Sequence, residues 1–215
     1  MEVFYMKKFA SLLLVGSLCV VALTAANQTQ KKISNTSNLR VTQIAGKKLF
    51  QLKSCVDCHT LARKTEGKLT PVANKRDDAW FSEHVAKESP LVLQAAKSKR
   101  RQKRVLKKEV AALDDFLYQS KPEEKKQIAG LAEDVFGGAY LVYQNNCINC
   151  HSIAGAGKEI APDLTHIAKE HGDKEWLIKN LINPQQFAPE SLMPKFDKLP
   201  EEDLGKIAEY LLTLE

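Results

Sequence analysis

Cys147-Ile148-Asn149-Cys150-His151 is one of two stretches with the pattern Cys-x-x-Cys-His; the other is Cys55-Val56-Asp57-Cys58-His59. Two residues between the thiols let one helical turn present both sulfurs to the same edge of a flat ligand. A porphyrin meets that demand. Its two vinyl groups accept the two thiols, and the histidine that follows at once sits beneath the iron as an axial ligand. A bare Cys-x-x-Cys also suits zinc or a redox disulfide, but neither gives the adjacent histidine a role. A zinc site built from all four cysteines leaves both histidines unexplained as well. The two stretches therefore predict two covalent haem c groups, held by Cys55, Cys58, Cys147 and Cys150, with His59 and His151 on the irons.

The surroundings of the two stretches repeat. Gly46-Lys47-Lys48-Leu49-Phe50 begins nine residues before Cys55, and Gly138-Ala139-Tyr140-Leu141-Val142 begins nine before Cys147. Downstream, Leu69-Thr70-Pro71-Val72-Ala73 aligns with Leu164-Thr165-His166-Ile167-Ala168, Trp80-Phe81 with Trp176-Leu177, Pro90 with Pro184, and Val110–Leu117 with Leu204–Leu211. Each copy reads as three helices. The first leads into the cysteine pair, and the second opens near the tryptophan behind acidic residues. The third is amphipathic through Val105, Leu106, Val110, Leu113, Phe116 and Leu117, or through Leu204, Ile207, Ala208, Leu211 and Leu212. No run of alternating β-branched residues predicts a sheet. The fold class is all-α, with two tandem three-helix haem domains at 39–119 and 128–215, joined by a polar, Pro-containing linker at 120–127. Domains this small bury little on their own, and a haem in each supplies apolar bulk.

Met6-Lys7-Lys8 followed by the uncharged stretch Phe9–Ala26 has the layout of a secretory signal, with Thr24-Ala25-Ala26 offering small residues for cleavage. An uncleaved membrane anchor through residues 6–26 is the rival reading, because that length lies near the minimum of about 17–20 residues for a spanning helix. Residues 27–38 are polar and read as a disordered tether. Export places the chain in the periplasm. Of its five cysteines, Cys19 falls in the leader and the other four are used by the two pairs, so no structural disulfide is expected. The formal net charge of +6 would be largely offset by haem propionates and does not point to nucleic acid.

From Leu39 to Glu215 the chain resembles the class I cytochrome c family, present twice. The resemblance rests on Gly46-Lys47-Lys48-Leu49-Phe50, both Cys-x-x-Cys-His stretches, Ala161-Pro162-Asp163-Leu164 and Ser191-Leu192-Met193-Pro194. It implies small helical domains that relay single electrons. It also implies that the Pro162 carbonyl accepts a hydrogen bond from the His151 imidazole, and that Met193 is the distal ligand. Only three methionines occur, and the other two, Met1 and Met6, precede the apolar leader. His/Met ligation raises the reduction potential.

The first copy departs from this pattern, since no methionine lies between His59 and Met193. Three readings compete for its distal position. His84 shares a helical face with Trp80, Phe81 and Val85, and the family's middle helix lines the distal pocket. Alternatively the position is vacant or water-bound, or Lys99 (or another group) supplies it, as lysine can only when its amine is neutral. His166 and His171 read as surface residues. The run from Lys97 to Lys108 holds eight Lys or Arg among twelve residues; it is either a solvated face or a docking patch for an acidic redox protein. The combined expectation is a periplasmic dihaem electron carrier, serving redox partners or a respiratory complex, and not an enzyme. The alternatives are a dihaem peroxidase or a haem-based ligand sensor, each using an open first site.

Overall fold

Val41, Ile44, Ala45, Leu49 and Phe50 recur at helical spacing and form the buried face of α1, Val41–Leu52. The computed structural model describes residues 35–60, 70, 71, 77–87 and 98–215, all within one compact unit spanning 34–215. The expected leader or anchor at 1–26 lies outside the described residues, as does the tether up to 34. Among the described residues no helix is long and apolar enough to cross a membrane.

After α1, Cys55–Asp57 form a short 3-10 turn, followed by α2 (Asp78–Lys87) and α3 (Lys99–Asp114), which runs into a π turn at Asp115–Gln119. Next come α4 (Pro122–Ala129), α5 (Glu133–Gln144) and a second 3-10 turn at Cys147–Asn149. The chain closes with α6 (Ile167–Glu170), α7 (Lys174–Ile182) and α8 (Glu201–Leu211). The helical expectation holds for the described residues, with two minor additions. β1 (His59–Thr60) pairs in parallel with β2 (Thr70–Pro71), and β3 (Ser152–Ile153) pairs antiparallel with β4 (Ala156–Gly157). Ala154 and Gly155, both at positive φ, make the tight turn between β3 and β4.

The repeat read in the sequence is also a repeat in packing. α1 crosses α3, and α5 crosses α8. At the first crossing a Cβ on Gly46 would lie 2.0 Å from the Ala112 carbonyl oxygen and 2.7 Å from Phe116 Cβ. At the second, a Cβ on Gly138 would lie 1.9 Å from the Lys206 carbonyl oxygen and 2.9 Å from Tyr210 Cβ. Only glycine lets the backbones approach so closely. Each helix before a cysteine pair is therefore held by the last helix of its own half. Phe50, Phe116 and Tyr210 are almost fully buried around these crossings, each adding about 1.5–3 kcal/mol of apolar burial.

α1 also packs on α5, so the halves share one core cluster. Two expected loose segments are ordered by that contact. Residues 35–38, which read as the end of a tether, are tied to the opposite terminus. Thr36 is fully buried; its amide donates to the Thr213 carbonyl at 2.9 Å, and the two hydroxyls lie 2.6 Å apart. The linker 120–127 is mostly helical. Pro122 stands at the first position of α4, where its missing N–H costs nothing, and Glu123 and Glu124 complement the positive helix end. Glu124 also accepts from Gln43 of α1 at 3.0 Å. Polarity along a segment says little about order when its polar groups find partners elsewhere in the chain.

Candidate functional site

Asn146 adopts the left-handed conformation (φ 64°) and turns the chain sharply out of α5, so that Cys147–Asn149 form their tight turn beyond the helix end. Ser54 does the same before Cys55 (φ 54°). None of Cys55, Cys58, Cys147 and Cys150 is in a disulfide. Desolvation pushes the Cys147 thiol up to about 11, the opposite of what an activated thiolate pair needs. Among the described residues no three His, Cys, Asp or Glu side chains converge on a metal-sized site, so the four cysteines do not form a zinc cluster.

In the second half a loop is folded tightly onto the Cys-x-x-Cys-His stretch. The amides of Ile160 and Ala161 both donate to the Cys150 carbonyl, at 3.0 and 2.9 Å. Gly157 (φ 116°) passes so close that a Cβ would meet the His151 carbonyl at 2.2 Å. This brings the Pro162 carbonyl 2.7 Å from His151 Nδ1. With Nδ1 donating there, Nε2 is the nitrogen left to bind a metal. Met193 lies on a loop held by Gln185, whose Nε2 donates to the carbonyls of Ser191 at 2.9 Å and Met193 at 3.0 Å. Large apolar side chains remain uncovered along these loops: Leu192 is fully exposed and Ile160 is 71% exposed. An apolar group seated between His151 and Met193 would give them a partner. The donor set, the committed Nδ1 and the uncovered apolar loops fit a haem c.

In the first half α2 buries Phe81 and Val85, while His84 is half-buried on the adjoining part of that face. The His84 ring centre lies 5.8 Å from that of His59, with the planes at 78°, and Trp80 stacks on His84 at 5.0 Å. Two imidazoles on opposite sides of one metal, with bonds of about 2 Å, have ring centres roughly 6 Å apart. The pair therefore fits around one iron. Lys99 is the exposed first residue of α3. The structure also corrects one alignment. The repeat in the sequence sets Thr70-Pro71 against Thr165-His166, but the β1–β2 register places Pro71 across from Thr60, beside His59. That is the neighbourhood Pro162 occupies next to His151. The signal is present as Gly67-Lys68 before Pro71 and Gly157-Lys158 before Pro162, one residue out of phase.

The remaining expected residues divide. His171 stacks on Trp176 at 3.6 Å, and His166 Nδ1 meets the Glu215 carbonyl at 2.8 Å, so both are engaged elsewhere in the second half. Lys99, Arg100, Arg101, Lys103, Arg104 and Lys107 form an exposed cationic end of α3. Lys97 lies outside the described residues. Lys108 does not belong to that face: it is half-buried and turned towards α5.

A protein with a covalent haem motif at the end of a helix, an oriented histidine and a methionine loop is of the haem c electron-carrier class. Residues 138–215 match the family model for cytochrome c, so this part of the chain is a cytochrome c family domain, and the family implies haem c. The chain is similar to the cytochrome-type subunit of the nitric oxide reductase of Stutzerimonas stutzeri, with 31% identity over 93 residues, 41% of this chain and 63% of that protein. It is 44% identical to the corresponding nitric oxide reductase component of Halomonas halodenitrificans over 43 residues, 20% of this chain and 29% of that one. Cytochrome c oxidase subunit 2 of Alkalihalophilus pseudofirmus is 26% identical over 84 residues, covering 36% and 25%. The chain thus spans less than two thirds of each of these relatives. No solved structure gives a significant match.

Proposed function

We propose that the chain is an exported dihaem cytochrome c that passes single electrons between redox partners, as a carrier or as part of a respiratory complex. The observation that carries this reading is the repeated unit itself. In each half a glycine-crossed helix ends in a left-handed residue and delivers Cys-x-x-Cys-His. Haem c, when bound, supplies reversible one-electron iron chemistry. Cys55, Cys58, Cys147 and Cys150 hold the two groups covalently. His151, oriented by the Pro162 carbonyl, and Met193, on the loop pinned by Gln185, face the second iron. His59 serves the first, with Pro71 in the role of Pro162.

His84 is the distal ligand of the first site in this reading, supported by its 5.8 Å separation from His59. Histidine ligation on both sides closes that iron to exogenous ligands and argues against the peroxidase and sensor alternatives. The reduced wild-type protein is expected to bind carbon monoxide at neither haem, whereas His84→Ala binds it at one and loses one low-spin EPR signal. An unchanged EPR spectrum in His84→Ala would sink the assignment. The named relatives are components of a nitric oxide reductase and a cytochrome c oxidase, which supports service to a respiratory complex. The exposed basic end of α3 offers an acidic partner a docking face, and its contribution is expected to weaken as salt rises.

A further inference from the structure

Consecutive residues of α3, a helix of the first half, reach the segments that precede both cysteine pairs. Glu109 pairs with Lys53, two residues before Cys55, at 2.8 Å, and both side chains are at most 9% exposed. Lys108 turns the other way, towards the C-terminal end of α5. Its Nζ donates to the Tyr143 carbonyl, to the Gln144 carbonyl at 3.4 Å and to Asn146 Oδ1 at 2.9 Å, and it sits 4.3 Å above the Tyr143 ring. Tyr143 returns a hydrogen bond from its hydroxyl to the Lys108 carbonyl at 2.5 Å. Asn146 is the left-handed residue immediately before Cys147.

We propose that Lys108 is a positioning residue for the second haem site: it fixes the turn that presents Cys147 and holds a positive charge beside that haem, raising its reduction potential relative to the first. The inference rests on the dihaem reading above. Three acceptors and an aromatic face satisfy the ammonium without bulk water, so its field is less screened than that of an exposed lysine. The negative end of α5 amounts to about half a charge, so a net positive charge remains beside the second site. At the first site the equivalent cation, Lys53, is neutralised by Glu109. The same short stretch of α3 thus treats the two sites unequally. Ferric iron carries one more positive charge than ferrous, so a nearby cation favours the reduced form.

The test is a redox titration of the full holoprotein, resolved by EPR, with haem content read from the mass of the denatured chain. Lys108→Met is expected to lower the midpoint of the second haem, by up to about tenfold in the reduced-to-oxidised ratio, or about 59 mV. Lys108→Arg, which keeps the charge, is expected to restore it, and Lys107→Met, on the exposed side of α3, to leave it in place. A second midpoint in Lys108→Met that moves no more than in Lys107→Met would overturn the proposal. If Lys108→Met does not accumulate with both haems, Lys108→Gln keeps a donor without the charge. A lower second midpoint there supports the proposal, and an unchanged one rejects it. A wild-type chain without haem mass at Cys147 and Cys150 would instead remove the dihaem reading, and the proposal with it.

Discussion

Replacing both Cys147 and Cys150 by alanine is expected to halve the covalent haem of the chain, leaving one haem at Cys55 and Cys58. The two thioethers are the only covalent attachment available to the second group. His151 alone, even with its ring oriented by Pro162, leaves a haem free to dissociate when the chain is denatured. The first pair is carried by α1 and braced by α3, a crossing that does not involve the mutated turn, so its attachment should persist. Loss of Met193 ligation together with the haem should also abolish the high-potential wave in a redox titration. Intact-mass measurement of the denatured protein decides the matter: retention of two haems, or loss from the first pair too, would contradict two independent attachment sites.

Gly138→Ala is expected to destabilise the holoprotein by about 3 kcal/mol or more, whereas Gly137→Ala is neutral or stabilising by up to about 1 kcal/mol. The two residues are adjacent in α5 and differ only in what a methyl group would meet. At Gly138 it would meet the Lys206 backbone at 1.9 Å, and a backbone carbonyl cannot rotate aside as a side chain can. At Gly137 it meets the flexible Lys206 Cδ at 3.5 Å, an ordinary contact. Relieving the clash at Gly138 means separating α5 from α8 and opening the core around the fully buried Tyr210. Denaturant unfolding of the three holoproteins measures the contrast. A Gly138→Ala protein within about 0.5 kcal/mol of its parent would refute the crossing.

Much of this arrangement is legible in the sequence because it is local. Helical spacing in Leu204, Ile207, Ala208 and Leu211 marks the buried face of α8, and the face shared by Phe81, His84 and Val85 is realised in α2. Segments defined by distant partners are not legible. Residues 35–38 and 120–127 look loose because they are polar, yet Thr36 is sealed against Thr213, and Gln127 of α4 donates to the Asn35 carbonyl at 2.8 Å. Lys108 sits in a run that reads as one solvated patch. Helical rotation alone cannot say that its neighbour is the end of α5.

Taken alone, the sequence determines where haem c attaches and which histidine follows each attachment, because that chemistry depends on residues within five positions of one another. It also determines that the unit occurs twice. The tertiary structure decides what stands around each unit: Pro71 beside His59, His84 within reach of the same ring, and Lys108 beside only one of the two cysteine pairs. These depend on which helices cross and how closely. That follows from glycines meeting backbone carbonyls far along the chain, a relation that no local spacing encodes.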